Sequence, residues 1–141
     1  MATVKYATPS ALGSNIASTT LNSKANGTVS AFVTHDNSSN LDLYASVSVE
    51  LGSITPSAGG SISLRVHSTS STKTPDDTGS VGGGDVYTAP LLAGASVKVV
   101  VFPMVRLYPE SLRLQIVNNS GVTTNASGNA LYVRPYNESV A

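Results

Sequence analysis

The sequence contains no cysteine and no tryptophan, and it has few charged residues. Without cysteine the chain can form neither disulfides nor thiolate metal sites. Charged residues make up 11% of the 141 residues, and eight basic residues balance eight acidic ones. An average globular protein has about 25% charged residues. Because no run of Lys or Arg marks a phosphate track or an anionic surface, we expect no nucleic acid and no membrane as a partner.

The beginning of the sequence has no apolar run long enough for a signal peptide or a membrane span. We therefore expect synthesis and folding in a cytoplasm.

A convincing helical period is also missing, whereas residues 40–51 alternate strictly between apolar and polar side chains. This period predicts a half-buried strand of about 12 residues, when most strands have about 5 to 6. The rest of the chain must cover its apolar face. The predicted core takes members of this strand and of two others, namely Leu41, Leu43, Val47, Val49, Leu51, Ile62, Leu64, Val66, Leu112, Leu114 and Ile116.

Seven or eight short strands are predicted in all, separated by loops rich in Gly, Pro, Asn and Ser. Pro90 predicts an edge strand over 86–92, Pro103 predicts a bulge or bend, and the Val99–Val101 run predicts burial on both faces or a mixed environment. These features predict an all-β fold, an antiparallel two-sheet sandwich that is jelly-roll-like. The further strands are expected at 28–34, 61–68, 96–102, 112–117 and 130–136, and His35–Ser39 is expected as a turn.

Residues 1–24 lack steady alternation and contain Pro9 and Gly13, which predicts an extended N-terminal arm before a sandwich domain at 25–141. Strand character is expected only near 15–21. We predict that the arm docks to a partner, with an arm that wraps its own sandwich or a sister subunit as the alternative. The predicted docking residues are Val4, Lys5, Tyr6 and Leu12. Residues 69–85 form an aperiodic loop that is either functional or disordered.

Catalytic and metal-binding patterns do not rise above chance. His35 and His67 have no ligand spacing and are expected to face solvent, and the Asp76–Asp77 pair lacks the acidic spacing of a calcium loop. The glycines at 82–84 lack the Lys and Ser/Thr of a phosphate-binding loop. We therefore predict no enzyme activity, no cofactor and no metal.

Three tyrosines are the best candidates for binding. Tyr44, Tyr132 and Tyr136 lie on strand faces opposite the predicted core. Their rings could stack on sugar rings or anchor a protein interface. The alternative is that they lie against a neighbouring subunit or under a loop.

Val33–Tyr44 resembles a segment of a family of small virion proteins of tailed bacteriophages. The C-terminal third is similar to the closing pattern of the same family, in Leu107–Pro109, Leu112–Gly121, Ser127–Ala130 and Pro135–Glu138. The resemblance covers about half of the chain. It implies a jelly-roll-like sandwich on the phage particle, as a head decoration (cement) protein or head-fibre base.

The resemblance implies a capsid-bound cement protein on the outer head surface, with the major capsid protein as partner. A low charge leaves strand edges with little protection against pairing, and burial in a homo-oligomer or a capsid lattice would remove that hazard. We expect a trimer first and a dimer second, because head lattices offer threefold sites. The alternatives are a glycan-binding sandwich module of a tail or fibre and a tail adaptor protein.

Overall fold

The computed structural model describes residues 3–17, 19–68 and 84–140, and within these ranges it contains strands and no helix. Most of the predicted loop at 69–85 lies outside the described residues. In chain order the strands are β1 (Val4–Tyr6), β2 (Val33–Asp36), β3 (Tyr44–Ile54), β4 (Ser61–Ser68), β5 (Asp85–Pro90), β6 (Ser96–Arg106), β7 (Ser111–Asn119), β8 (Ala130–Tyr136) and β9 (Glu138–Val140).

Two antiparallel sheets pack face to face. One has the order β2-β7-β4-β5 and the other the order β6-β3-β8, while β1 and β9 pair with each other. Most consecutive strands therefore belong to different sheets, and the chain crosses repeatedly from one sheet to the other. This strand order is that of a jelly roll. The prediction of an all-β, antiparallel, jelly-roll-like sandwich is confirmed.

The N-terminal segment lies along the outer side of β8. Val4 is in register with Val140, and the segment then donates main-chain hydrogen bonds from Ala7 N to Asn137 O (2.7 Å) and from Ile16 N to Leu131 O (2.9 Å). These bonds need no apolar alternation, which is why the sequence pattern did not reveal them. The structure thus favours the alternative in which the arm lies along its own sandwich, and docking through its exposed side chains stays a prediction.

Residues 15–17 and 19–21 form bends and turns and no strand, in contrast to the predicted strand character there. The Asn15 side-chain oxygen accepts hydrogen bonds from Ala17 N (3.0 Å) and Leu131 N (2.9 Å). The local side-chain bond competes with sheet pairing and turns the chain at this point.

We expect deletion of residues 2–12 to lower the melting temperature of the protein. The deletion removes the β1–β9 pairing and leaves main-chain acceptors such as Asn137 O without their donors. Each lost bond of this kind contributes about 1 kcal/mol. An unchanged melting temperature, measured by calorimetry, would show that the segment contributes nothing to the stability of the fold.

The core lies between the two sheets and contains the alternate residues of β3, from Ala45 to Leu51, that the sequence pattern predicted. Every predicted core residue is buried except Leu41 and Leu43, for which the prediction was wrong. The preceding turn is longer than expected: Asn37 Oδ1 accepts from Asp42 N (3.0 Å), and Leu41 has a φ of 52° within that turn. Strand β3 therefore begins only at Tyr44.

Strand β2 begins later than predicted. Val29 makes only an isolated bridge to Val117, and regular pairing with β7 begins at Val33. Between these pairs the chain carries one more residue than its partner, which is a bulge around Phe32. His35 and Asp36 therefore belong to β2, and the prediction that they open a turn was wrong.

Both prolines act as predicted, and the valine run has one buried and two exposed members. β5, which ends at Pro90, is an edge strand, and the β3–β6 register shifts between Val47↔Phe102 and Ala45↔Val105, so that a bulge contains Pro103. Val100 is buried while its two neighbours are exposed. Of the two alternatives for the valine run, the structure therefore supports a mixed environment and not burial on both faces, because one face of β6 covers the core and the other is exposed within the described residues.

Candidate functional site

The outer face of the β6-β3-β8 sheet brings together most of the residues with binding potential. Polar and aromatic side chains of β3 alternate with its core residues and point to this face, beside every second residue of β8. Its members are Tyr44, Ser46, Ser48 and Glu50 of β3, Tyr132, Arg134 and Tyr136 of β8, and the exposed valines of β6.

Three tyrosine rings form one cluster on this face. Tyr44 and Tyr136 are in register and stack with their ring centroids 5.7 Å apart and an interplanar angle of 27°. Tyr6 meets Tyr136 edge to face, at 5.7 Å and 83°. Tyr132 is in register with Ser48, four residues further along β8, which is about 13 Å away. The structure thus brings together two of the three predicted tyrosines and adds Tyr6, which we had assigned to the docking arm.

The surroundings of Tyr136 shift its pKa and orient its ring. Burial raises the pKa of Tyr136 above its ordinary value, and the neighbouring Tyr6 and Tyr44 raise it further. The neutral hydroxyl donates a hydrogen bond to Pro103 O at 3.0 Å. This bond crosses from β8 to the β6 bulge and fixes the orientation of the ring.

An open cavity of about 270 Å³ lies next to the cluster, between the N-terminal segment and the sheet. Arg134 is the charged residue of its lining, and its Nε donates to Ser10 O at 2.6 Å. The lining consists of Tyr6, Ala7, Pro9, Ser46, Pro103, Arg134 and Tyr136. The cavity therefore combines apolar walls with one guanidinium group.

The free edge of the same sheet forms a second surface, which we call the valine edge. β6 pairs only with β3, so its other side has no strand neighbour among the described residues. Val97, Val99 and Val101 are 59%, 58% and 50% exposed. The exposed valines are spaced two residues apart, as one face of a strand requires. Because Val100 between them is also apolar, the sequence does not show which of these valines are exposed.

The predicted docking residues of the arm are all exposed, with Val4, Tyr6 and Leu12 between 58% and 61% accessible. Lys5 is likewise exposed. Only Tyr6 joins another candidate residue, through its contact with Tyr136.

The histidines do not form a site. His35 shares the inward face of β2 with the core residue Val33, whereas His67 alternates with Val66 and points to the opposite face of the sheet. His67 is 3% exposed and packs edge to face on Phe32 at 5.5 Å, so the expectation that it faces solvent was wrong.

Burial lowers the pKa of His35, and the nearby carboxylates of Asp42 and Asp36 oppose this shift. No group of three or more potential metal ligands occurs in the described part of the chain.

No protein-family model, curated protein or solved structure matches this chain. Among the described residues there is no helix long and apolar enough to cross a membrane.

Proposed function

We propose that this protein is a capsid decoration (cement) protein of a tailed phage, which binds the major capsid protein on the outer surface of the head. It acts as a homo-oligomer, with a trimer favoured over a dimer. The observation that carries the proposal is the valine edge, an 11-residue strand that has one strand neighbour in the described part of the chain and carries three outward valines.

The valine edge lacks the charges that keep strand edges apart. Lys98 is the single charged residue between Ser96 and Val105. It is buried, and its Nζ donates to Ser96 Oγ (2.9 Å) and Ala93 O (3.4 Å). Natural sandwiches protect an exposed edge with a lysine that reaches solvent, a proline or a cover. In β6 the bulge at Pro103 and the exposed Arg106 protect only the C-terminal end, so residues 96–102 remain without such protection. This uncovered part of the edge favours a role in which a partner adds to it.

Attachment through a strand edge suits a decoration protein. A partner strand gains main-chain hydrogen bonds along β6, and the outward valines add apolar contact. Each contact is modest, but an oligomer that engages several capsid subunits at once strengthens attachment by raising the effective concentration of each further contact.

The sequence resemblance supports the choice of partner. Residues that carry the resemblance stabilise turns through side-chain hydrogen bonds. Asn37 donates to Asp42 O (2.9 Å) and Tyr108 O (2.8 Å), which ties the turn before β3 to the turn before β7. Asn137 accepts from Leu43 N at 2.8 Å. These motifs are structural, so they support kinship with the virion proteins and leave the contact surface to be identified from geometry.

A glycan-binding module of a phage tail or fibre is the second candidate. The observation that favours it is the exposed cluster of Tyr6, Tyr44 and Tyr136, because aromatic rings with a polar tip suit ligands that are partly apolar.

We expect Val99→Lys to weaken attachment to emptied heads of the cognate phage by about 100-fold, because a new ammonium group would be buried unpaired at the contact. Val86→Lys is the matched control: Val86 is 61% exposed and lies on β5, an edge strand of the other sheet. Co-sedimentation over a concentration series measures both. Equal binding by the two variants would exclude the valine edge as the attachment surface.

A further inference from the structure

The cavity beside the tyrosine cluster is built from four separate parts of the chain. Tyr6, Ala7 and Pro9 come from the N-terminal segment. Arg134 and Tyr136 come from β8, Ser46 comes from β3, and Pro103 comes from the β6 bulge. The cavity exists only because the N-terminal segment lies along β8, since it supplies one entire wall.

Two hydrogen bonds fix the walls before any ligand arrives. Tyr136 is held by its bond to Pro103 O (3.0 Å), and Arg134 is held by the bond from its Nε to Ser10 O (2.6 Å). Both acceptors are main-chain carbonyl groups, and Pro103 itself belongs to the lining of the cavity. A site whose groups are already oriented loses less entropy on binding than a flexible one.

Arg134 gives the lining of the cavity a positive charge. The Nε bond uses one of the five N–H groups of Arg134 and leaves both amino groups without a hydrogen bond within the described ranges. No carboxylate lines the cavity. The amino groups of a guanidinium match the two oxygens of a carboxylate, which can be bound by two parallel hydrogen bonds.

The rest of the lining suits a ring with an apolar face. Tyr6 and Tyr136 stand at 83° to each other and form a corner, which Pro9 and Pro103 extend with apolar surface. The axial C–H groups of a pyranose ring can pack on such a surface while its hydroxyl groups remain available to Ser46. Cavities for drug-sized ligands have about 300 to 1,000 Å³, so a cavity of about 270 Å³ suits a ligand of one ring.

From these features we infer that the cavity binds one acidic sugar residue, a pyranose that carries a carboxylate. The sugar ring packs against Tyr6 and Tyr136, and the carboxylate accepts hydrogen bonds from the amino groups of Arg134. This inference is independent of capsid attachment, since the cavity has Pro103 in common with β6 but is lined by none of the outward valines Val97, Val99 and Val101.

The test is an NMR titration of the ¹⁵N-labelled full chain with methyl glucuronide, and with methyl glucoside as the neutral probe of the same ring. We expect the glucuronide to shift the amide signals of residues 6–10 and 134–136 at millimolar concentration. Because the guanidinium contributes a charge-assisted bond, the neutral glucoside should bind about tenfold more weakly or worse. An absence of shifts with the glucuronide, or equal binding of both probes, would overturn the inference.

Variants separate the two contributions. Arg134→Gln should abolish the preference for the acidic probe, and Tyr6→Ala should weaken binding of both probes. Tyr132→Ala is the control, because Tyr132 lies on the same face of β8 but outside the cavity. If Arg134→Gln does not fold, Arg134→Lys serves in its place, since it keeps the charge but loses the paired geometry and should reduce the preference. A preference that survives both substitutions rules out Arg134 as the anion-binding group.

Discussion

Val49→Asp is expected to abolish folding. Val49 is fully buried in the middle of β3, in register with Val100 on one side and Leu131 on the other, and all three belong to the core. A carboxylate at this position would have no partner among apolar side chains. The free energy of unfolding of a domain is about 5 to 15 kcal/mol, and an unpaired buried charge removes most or all of it. Circular dichroism during heating should show no cooperative transition.

The control introduces the same charge one residue away. Ser48 points to the opposite face of the sheet and is partly exposed, so Ser48→Asp should cost about 1 kcal/mol or less. Glu50→Ala on the same outer face should also be nearly silent. If Ser48→Asp and Val49→Asp melt alike, the register of β3 is wrong.

Asn118→Asp is expected to cause the second-largest loss of stability, about 2 to 6 kcal/mol, because two carbonyl groups lose their donor. Asn118 lies near the end of β7 and is 2% exposed. Its Nδ2 donates to Lys24 O and Val122 O, both at 2.8 Å, while its Oδ1 accepts from Ser120 N and Ser120 Oγ. The substitution would place a carboxylate oxygen against two carbonyl oxygens.

Urea denaturation measures this loss, and its pH dependence provides a second check. Repulsion and burial raise the pKa of the introduced carboxyl group in the folded state, so the destabilisation should shrink as the pH falls towards the ordinary aspartate pKa of about 4. Asn119→Asp is the control, since Asn119 is exposed at the next position of β7. A loss in the control as large as that of Asn118→Asp would contradict a specific role of the Asn118 hydrogen bonds.

The sequence was sufficient for the fold class because alternation identifies strands and their buried faces. The inward residues of β3, β4 and β7 follow directly from it, from Val47 to Ile116. The alternation pattern was misleading where the end of a strand is determined by a side-chain hydrogen bond instead of by a hydrophobic contact. Asn37 is the clearest example, because its bonds to Asp42 end the turn later than the apolar Leu41 and Leu43 indicated.

The candidate site was less predictable, because it depends on which strands become neighbours. Tyr44 and Tyr136 were recognised as outward residues, but their stacking follows from the β3–β8 register. Arg134 lies on the same face of β8 as Tyr136, as alternation predicts, but Tyr6 joins them only because main-chain bonds hold the N-terminal segment along β8, such as Ser10 N to Pro135 O at 3.0 Å. Such bonds leave no signature in the side-chain pattern, and so the cavity could not be inferred from the sequence.

The central claim, that the protein decorates the head of a phage particle by its valine edge, is tested most directly by electron cryo-microscopy of intact particles. The proposal predicts copies of the jelly roll repeated over the outer head lattice, with β6 against the major capsid protein and the cavity beside Tyr136 facing outward or sideways. Density for the protein confined to the tail, or a head-bound jelly roll whose β6 edge faces solvent, would contradict it.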